Sequence, residues 1–111
     1  MKEVEFISKT AKKEYLELPE EAYEQFKRDI TILKRDQRPY LPIEMLTSVG
    51  KGVYELKING SPAYRCVYVA KYKDKLVILG AFTKTTNGSD NAIRTTCQKR
   101  HKAMIKKFGQ P

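Results

Sequence analysis

A single histidine and two cysteines among 111 residues leave little material for several kinds of chemistry. One histidine is too few for a ribonuclease that works with a histidine pair. No cluster of His, Cys, Asp and Glu has metal-ligand spacing, so neither a metal nor another cofactor is expected. Cys66 and Cys97 each sit alone in an apolar pattern and read as reduced core residues of a cytoplasmic protein. No apolar run is long enough to span a bilayer, and no charged-then-apolar leader opens the chain. Repeats, low-complexity segments and linkers are lacking too. Acidic residues are few: 13 Asp+Glu against 22 Lys+Arg leave a formal charge of +9. That surplus favours a polyanionic partner, whether nucleic acid, an anionic membrane surface or an acidic protein. The 41% of hydrophobic residues suffice for one modest core, so residues 1–111 are expected to form a single domain.

The local patterns predict seven elements. "VEFI" at Val4 to Ile7 reads as a short strand, and Ser8 is placed to cap a short helix through Leu16. In "LPEEAYEQFKRDITILKRDQRP", Pro19 suits a first helical position and Glu20 and Glu21 suit the positive end of a helix dipole. Ala22, Tyr23, Phe26, Ile30 and Leu33 recur at helical spacing, and Pro39 closes the segment. The stretch from Pro39 to Gly52 reads as a loop, with "GKG" at its end too short for a phosphate-binding loop. Three strands follow, "VYELKI", "YRCVYVAK" and "LVILGAFT", separated by the turn sequences "NGSP" and "YKDK". A last helix from about Asn91 to Phe108 carries Ile93, Cys97, Met104, Ile105 and Phe108 as its apolar stripe. The expected order is β-α-α-β-β-β-α, an α+β fold with an antiparallel-dominated sheet and helices packed on one face.

Side-chain alternation then predicts which residues share a face. Tyr54, Leu56 and Ile58 match Tyr64, Cys66 and Tyr68 if the loop around "NGSP" has odd length. Lys57 then lies opposite Arg65, and Glu55 opposite Val67. A two-residue turn at Lys73 and Asp74 brings Val77, Leu79 and Ala81 onto the same apolar face. It also sets Phe82 opposite Arg65, Gly80 opposite Val67 and Lys84 one diagonal step away. The helices, with Phe26, Ile30, Leu33, Met104 and Phe108, are expected to cover the Tyr64 face and leave Arg65 on the open one. An arginine on a strand ordinarily packs its stem and hydrates its head. Three cations on one face is different, because like charges opposed on a sheet destabilise it by up to ~1 kcal/mol per pair. Lys57, Arg65 and Lys84 therefore point to an anion site, with Glu55 as a charge-balancing neighbour.

These residues also carry a resemblance. The order "GVYELKI…AYRCVYV…VILGAFTKTT" resembles the RelE/HigB toxin superfamily in its phage-derived HigB-like branch. Members show a Gly-aromatic-Glu-Leu-Arg/Lys strand, a Tyr-Arg-x-x-Tyr strand and a Phe-x-Lys-Lys-Thr ending before a helix. The chain departs from the pattern at Thr85, where a second lysine is common, and in having "NGSD" for a Pro-containing helix start. The resemblance implies a RelE-like fold and the toxin of a type II toxin–antitoxin pair, a metal-independent endoribonuclease that cleaves mRNA on the ribosome. It implies a cognate antitoxin, of helix-turn-helix type and encoded by an adjacent gene, and no membrane partner. The family's sheet-face cations map onto Lys57, Arg65 and Lys84.

RNA cleavage without a metal needs the 2′-OH activated, the phosphate stabilised and the leaving 5′-oxygen protonated. A Lys57 crowded by Arg65 would have its charged form disfavoured and suit a general base. Arg65 suits the transition-state phosphate, and Lys84 the phosphate or the leaving-group proton. His101 falls on the stripe of the last helix and reads first as a packed side chain, second as an auxiliary acid. Lys51, Lys71, Arg94 and Lys99 are candidates for RNA contact. Two other readings stay open: a ParE-like DNA gyrase poison, and a non-catalytic phage-derived binding module of the same fold.

Overall fold

The computed structural model describes residues 1–84 and 91–111. Their elements are β1 (Glu3–Phe6), α1 (Lys9–Leu16), α2 (Glu20–Leu33), β2 (Ile43–Met45), β3 (Val53–Ile58), β4 (Ala63–Val69), β5 (Lys75–Lys84) and α3 (Asn91–Phe108). Ser8 caps α1, its hydroxyl accepting from the Ala11 amide at 3.1 Å. Pro19 stands one residue earlier than expected, as the cap of α2, and Glu20 and Glu21 fill the first turn. The fold is α+β, with one five-stranded sheet in the order β1-β5-β4-β3-β2. The β1–β5 pairing is parallel and the other three are antiparallel. β2 lies inside the segment expected to be a loop. It has three residues, follows Pro42 and is exposed throughout, so its alternation is too short to stand out.

The register of β3 on β4 is as the alternation predicts, with Leu56 opposite Cys66 and Lys57 opposite Arg65. Between β4 and β5 the expected pairing holds for Arg65 with Phe82 and Val67 with Gly80, and then shifts by one residue. Tyr68 pairs with Ile78 and Val69 with Val77, leaving Leu79 as an extra residue in β5. A bulge of this kind reverses the facing of everything beyond it. Val77 and Leu79 consequently leave the Tyr64 face, where parity had put them, and Leu76 and Ile78 take their place.

That reversal makes the sheet apolar on both sides, and helices cover both, which corrects the one-faced expectation. α1 and α2 pack Tyr15, Phe26, Ile30 and Leu33 against Leu56, Cys66, Tyr68, Ile78 and Ala81. α3 packs Cys97 and Met104 against Val53, Val67, Val69, Val77 and Leu79 on the opposite side, with Phe108 at the margin. Met104 and Phe108 thus belong to the Arg65 face and not to the layer formed with Phe26.

The bulge is also where the two helical layers meet. Glu14 of α1 and Arg100 of α3 form a two-pronged ion pair, with nitrogen–oxygen distances of 2.7 and 2.8 Å. The Leu79 carbonyl accepts from Arg100 Nη1 at 2.9 Å, and the Ala81 amide donates to Glu14 Oε1 at 3.3 Å. Gly80 makes room for this. A Cβ there would stand 2.5 Å from Arg100 Nη1, 2.6 Å from the Phe82 ring and 2.8 Å from Glu14 Oε1.

Candidate functional site

α3 covers only part of its face of the sheet. At the far ends of β3, β4 and β5 the apolar pattern gives way to Glu55, Lys57, Arg65 and Lys84. Lys57 and Arg65 are direct cross-strand partners, Phe82 stands across from Arg65, and Lys84 across from Ala63. Three strands therefore bring the expected cations to one end of one face.

Their environments differ from the expectation. Arg65 was expected on an open surface, but only 6% of it is exposed. Its Nη1 donates to the carbonyls of Ile58 at 3.3 Å and Tyr64 at 3.0 Å, and its Nε lies 3.7 Å from Glu55 Oε1. Among the described residues Nε has no hydrogen-bond acceptor. The strand-end carbonyls and the buried carboxylate thus offset the desolvation of a charge that the fold takes from water. Lys57 does not crowd Arg65. Its Nζ pairs instead with Glu44 Oε1 at 3.1 Å, across the β2–β3 ladder. Lys84 is half-buried. The departures at Thr85 and in "NGSD" lie outside the described residues.

Of the auxiliary candidates, Glu55 is in the group and His101 is not. Glu55 is 6% exposed and stands opposite Glu44 on β2 and Val67 on β4. His101 packs its ring on Gly50, where a Cβ would come within 2.4 Å of Cε1. That is the Val53 end of β3, four residues or ~13 Å of strand away from Lys57. Burial holds the His101 imidazole below its usual range, in keeping with a packed ring. Lys51, Lys71, Arg94 and Lys99 are all exposed. Lys71 lays its stem over Gly52, placing it near Lys51 at the His101 end. Arg94 lines a cavity shared with Glu44 and Glu55. Cys97 reaches that cavity too, its thiol pushed up to about 12 by burial and so protonated at neutral pH.

Three participants escaped the sequence reading. Glu44 was hidden in the unpredicted β2, where only the alternation of "IEM" hints at a strand. The Glu14–Arg100 pair joins helices 86 residues apart, and no local pattern announces it. Asp29 is fully buried on α2, accepting from the Leu41 amide at 2.8 Å and pairing with Arg28 at 2.9 Å. It ties down the loop that leads into β2, and its place on the apolar side of α2 was the available signal.

Among the described residues no helix is long and apolar enough to cross a membrane, and no three His, Cys, Asp or Glu side chains converge as metal ligands. A family model for phage-derived Gp49-like protein matches residues 13–106, from the middle of α1 to the last turns of α3. A search of curated proteins gives no match. The chain belongs to the phage-derived Gp49-like family, which is of the RelE, toxin-like kind.

Proposed function

We propose that this Gp49-like protein is the toxin of a two-component toxin–antitoxin pair and cleaves mRNA on the ribosome. The observation that carries the reading is the pairing of Lys57 with Arg65 across β3 and β4, with Lys84 beside them on β5. Three cations at the end of one sheet face suit a ligand with a phosphate backbone. Cleavage joins the 2′-oxygen to phosphorus, breaks the bond to the 5′-oxygen and leaves a 2′,3′-cyclic phosphate. The 2′-OH gives up a proton, and the leaving oxygen takes one.

Arg65 is held rigidly by two carbonyls and a carboxylate, which suits a preorganised guanidinium near the phosphate. Lys57 and Lys84 are the more accessible cations, suited to binding the phosphate and protonating the leaving oxygen. The Lys57–Glu44 pair holds the Lys57 ammonium at the strand end beside Arg65. The antitoxin, on this reading, is a small protein encoded next to the toxin that presents an acidic or amphipathic segment to a chain of charge +9.

One observation favours a second reading. The burial of Arg65 and its pairing with Glu55 would serve equally in a non-catalytic binding module of the same fold. The experiment that separates the two is ribosome-dependent cleavage in a purified translation system, with wild type, Lys57→Ala and Lys84→Ala. Nuclease action predicts cleavage by wild type, reduced at least ~10²-fold in either variant if each supplies a preorganised charge to the transition state. Growth arrest that persists in both variants, with intact mRNA, would establish a binding poison; covalent gyrase–DNA complexes would identify it as ParE-like.

A further inference from the structure

Among the described residues the sheet has two edges, β1 and β2. β1 carries Glu3 and Glu5, and charged side chains keep an edge from pairing with foreign strands. β2 is different. The Lys57 amide donates to the Pro42 carbonyl at 2.9 Å, and the Leu46 amide to the Val53 carbonyl at 2.8 Å. Backbone groups alternate in direction along an antiparallel strand, so Pro42, Glu44 and Leu46 turn theirs to β3. Ile43 and Met45 therefore turn theirs outward, on the side where β2 has no neighbouring strand among the described residues. Ile43 is 44% exposed, Met45 52% and Tyr40, just before them, 78%. Apart from Met1 and Leu16, these are the exposed large apolar residues of the described chain, and they fall together on residues 40–45.

Beside this edge lies a groove of about 250 Å³, floored by Leu33, Ile43, Tyr54 and Tyr68. The register sets Ile43 opposite Leu56 and Met45 opposite Tyr54, so both share the α1/α2 face on which the groove opens. A strand laid along β2 would bond its backbone to Ile43 and Met45 and bring alternate side chains over the groove. Those side chains must be apolar. The residue between them falls across from Glu44, whose side chain is paired with Lys57 and still 56% exposed, so an anion there would be opposed by a like charge. At the two ends the sign reverses. Arg28 stacks on Tyr40 at 5.0 Å just before β2, and Lys71 lines the groove and lays its stem on Gly52, just before β3. Asp36, the acidic residue of the groove, is held by Lys2 at 2.8 Å. On a chain of charge +9, such ends favour acidic flanks. A second copy of the chain fits poorly. The two-fold pairing that uses both Ile43 and Met45 sets Glu44 against Glu44, which is destabilising.

We propose that the β2 edge and its groove are the docking site for an extended segment of a partner protein, which joins the five-stranded sheet as a further strand. The segment is apolar at two alternate positions, neutral or basic between them and acidic on either side. The inference rests on the reading above only in naming the antitoxin as the protein that carries it. A peptide tests the site without that premise. The probe is a heptapeptide blocked at both ends, with valine at its third and fifth positions, lysine between them and glutamate elsewhere. Titrated into the full chain and followed by amide NMR, it should shift Ile43, Met45 and Tyr54 and slow the exchange of the Ile43 and Met45 amides with solvent. A peptide of the same composition with its valines adjacent should bind about tenfold more weakly, since one apolar side chain then leaves the groove. Met45→Pro removes one outward N–H and keeps the β2–β3 ladder, as proline does on an edge strand. It should weaken binding about tenfold, the upper end for one hydrogen bond, at an unchanged melting temperature. Ile43→Glu, at an exposed position, turns the groove wall acidic and should weaken binding as much. Equal binding of the two peptides, or undiminished binding by a folded Ile43→Glu, overturns the docking site. Protection of the same amides in the chain alone, rising with its concentration, gives the edge to a second copy and overturns the partner segment. Peptide binding by a chain that arrests no growth leaves the docking site standing and removes the toxin. Growth arrest relieved by an adjacent-gene protein equally in wild type and Ile43→Glu does the reverse.

Discussion

The two faces of the sheet are built from the same strands and serve different ends. On the α1/α2 face every inward position of β3, β4 and β5 from Leu56 to Ala81 is apolar or aromatic, and Phe26 of α2 is fully buried against it. On the α3 face the apolar pattern gives way toward the far strand ends to Glu55, Lys57, Arg65 and Lys84, interspersed with Ala63 and Phe82. One face buries area for stability. The other gives up part of its area to a charged group that is only partly hydrated. The lesson is that a continuous sheet lets one face carry the stability that the other face gives up.

Substitutions on each side should break this comparison in different ways. The largest loss of stability is expected for Phe26→Ala, about 3–5 kcal/mol for emptying a fully buried aromatic site, read from the urea midpoint with cleavage of the surviving folded fraction unchanged. Arg65→Ala comes next and is unlike a surface truncation. It leaves Glu55 buried without its guanidinium, a loss of about 3 kcal/mol at the low end for broken buried pairs, since Nε stands 3.7 Å away. It should also lose mRNA cleavage. Arg65→Lys should keep part of the stability and little of the activity, because ammonium does not reproduce a planar donor. An Arg65→Ala variant that melts like wild type would contradict the buried-pair account.

Gly80→Ala tests the seam between the faces. The added methyl meets Arg100, Phe82 and Glu14 at once, and overpacking of this kind costs about 1–3 kcal/mol. Hydrogen exchange should show loosening of both α1 and α3. Loosening confined to β5 would mean that the Glu14–Arg100 pair does not couple the layers.

The smallest effect concerns His101. Burial lowers its folded value below the unfolded 6.5, so the unfolded chain binds more protons on the acid side. Its contribution to stability is therefore fully present above about 6.5 and is lost as pH falls through the depressed folded value. His101→Gln should flatten that acid-side slope of stability and leave the neutral-pH cleavage rate nearly unchanged. A large loss of cleavage with an unaltered slope would restore His101 to the reacting group.

Much of this was legible in the residues themselves. The alternation of "VYELKI" and "YRCVYV", with an odd loop between them, sufficed for the β3–β4 register and hence for Lys57 opposite Arg65. Local periodicity likewise determined all three helices, because apolar spacing and capping act within a few residues. Tertiary structure alone decided the rest. An amphipathic stripe says that α3 buries one side, not which side of a sheet it meets. The Leu79 bulge, which turned Val77 and Leu79 toward α3, is held by Glu14 and Arg100 from two distant helices. β2 gains its pairing only because β3 is there to receive it, and with it Glu44 reaches Lys57. Local patterns report which residues share a face, whereas the fate of a charge depends on what the rest of the chain lays over that face.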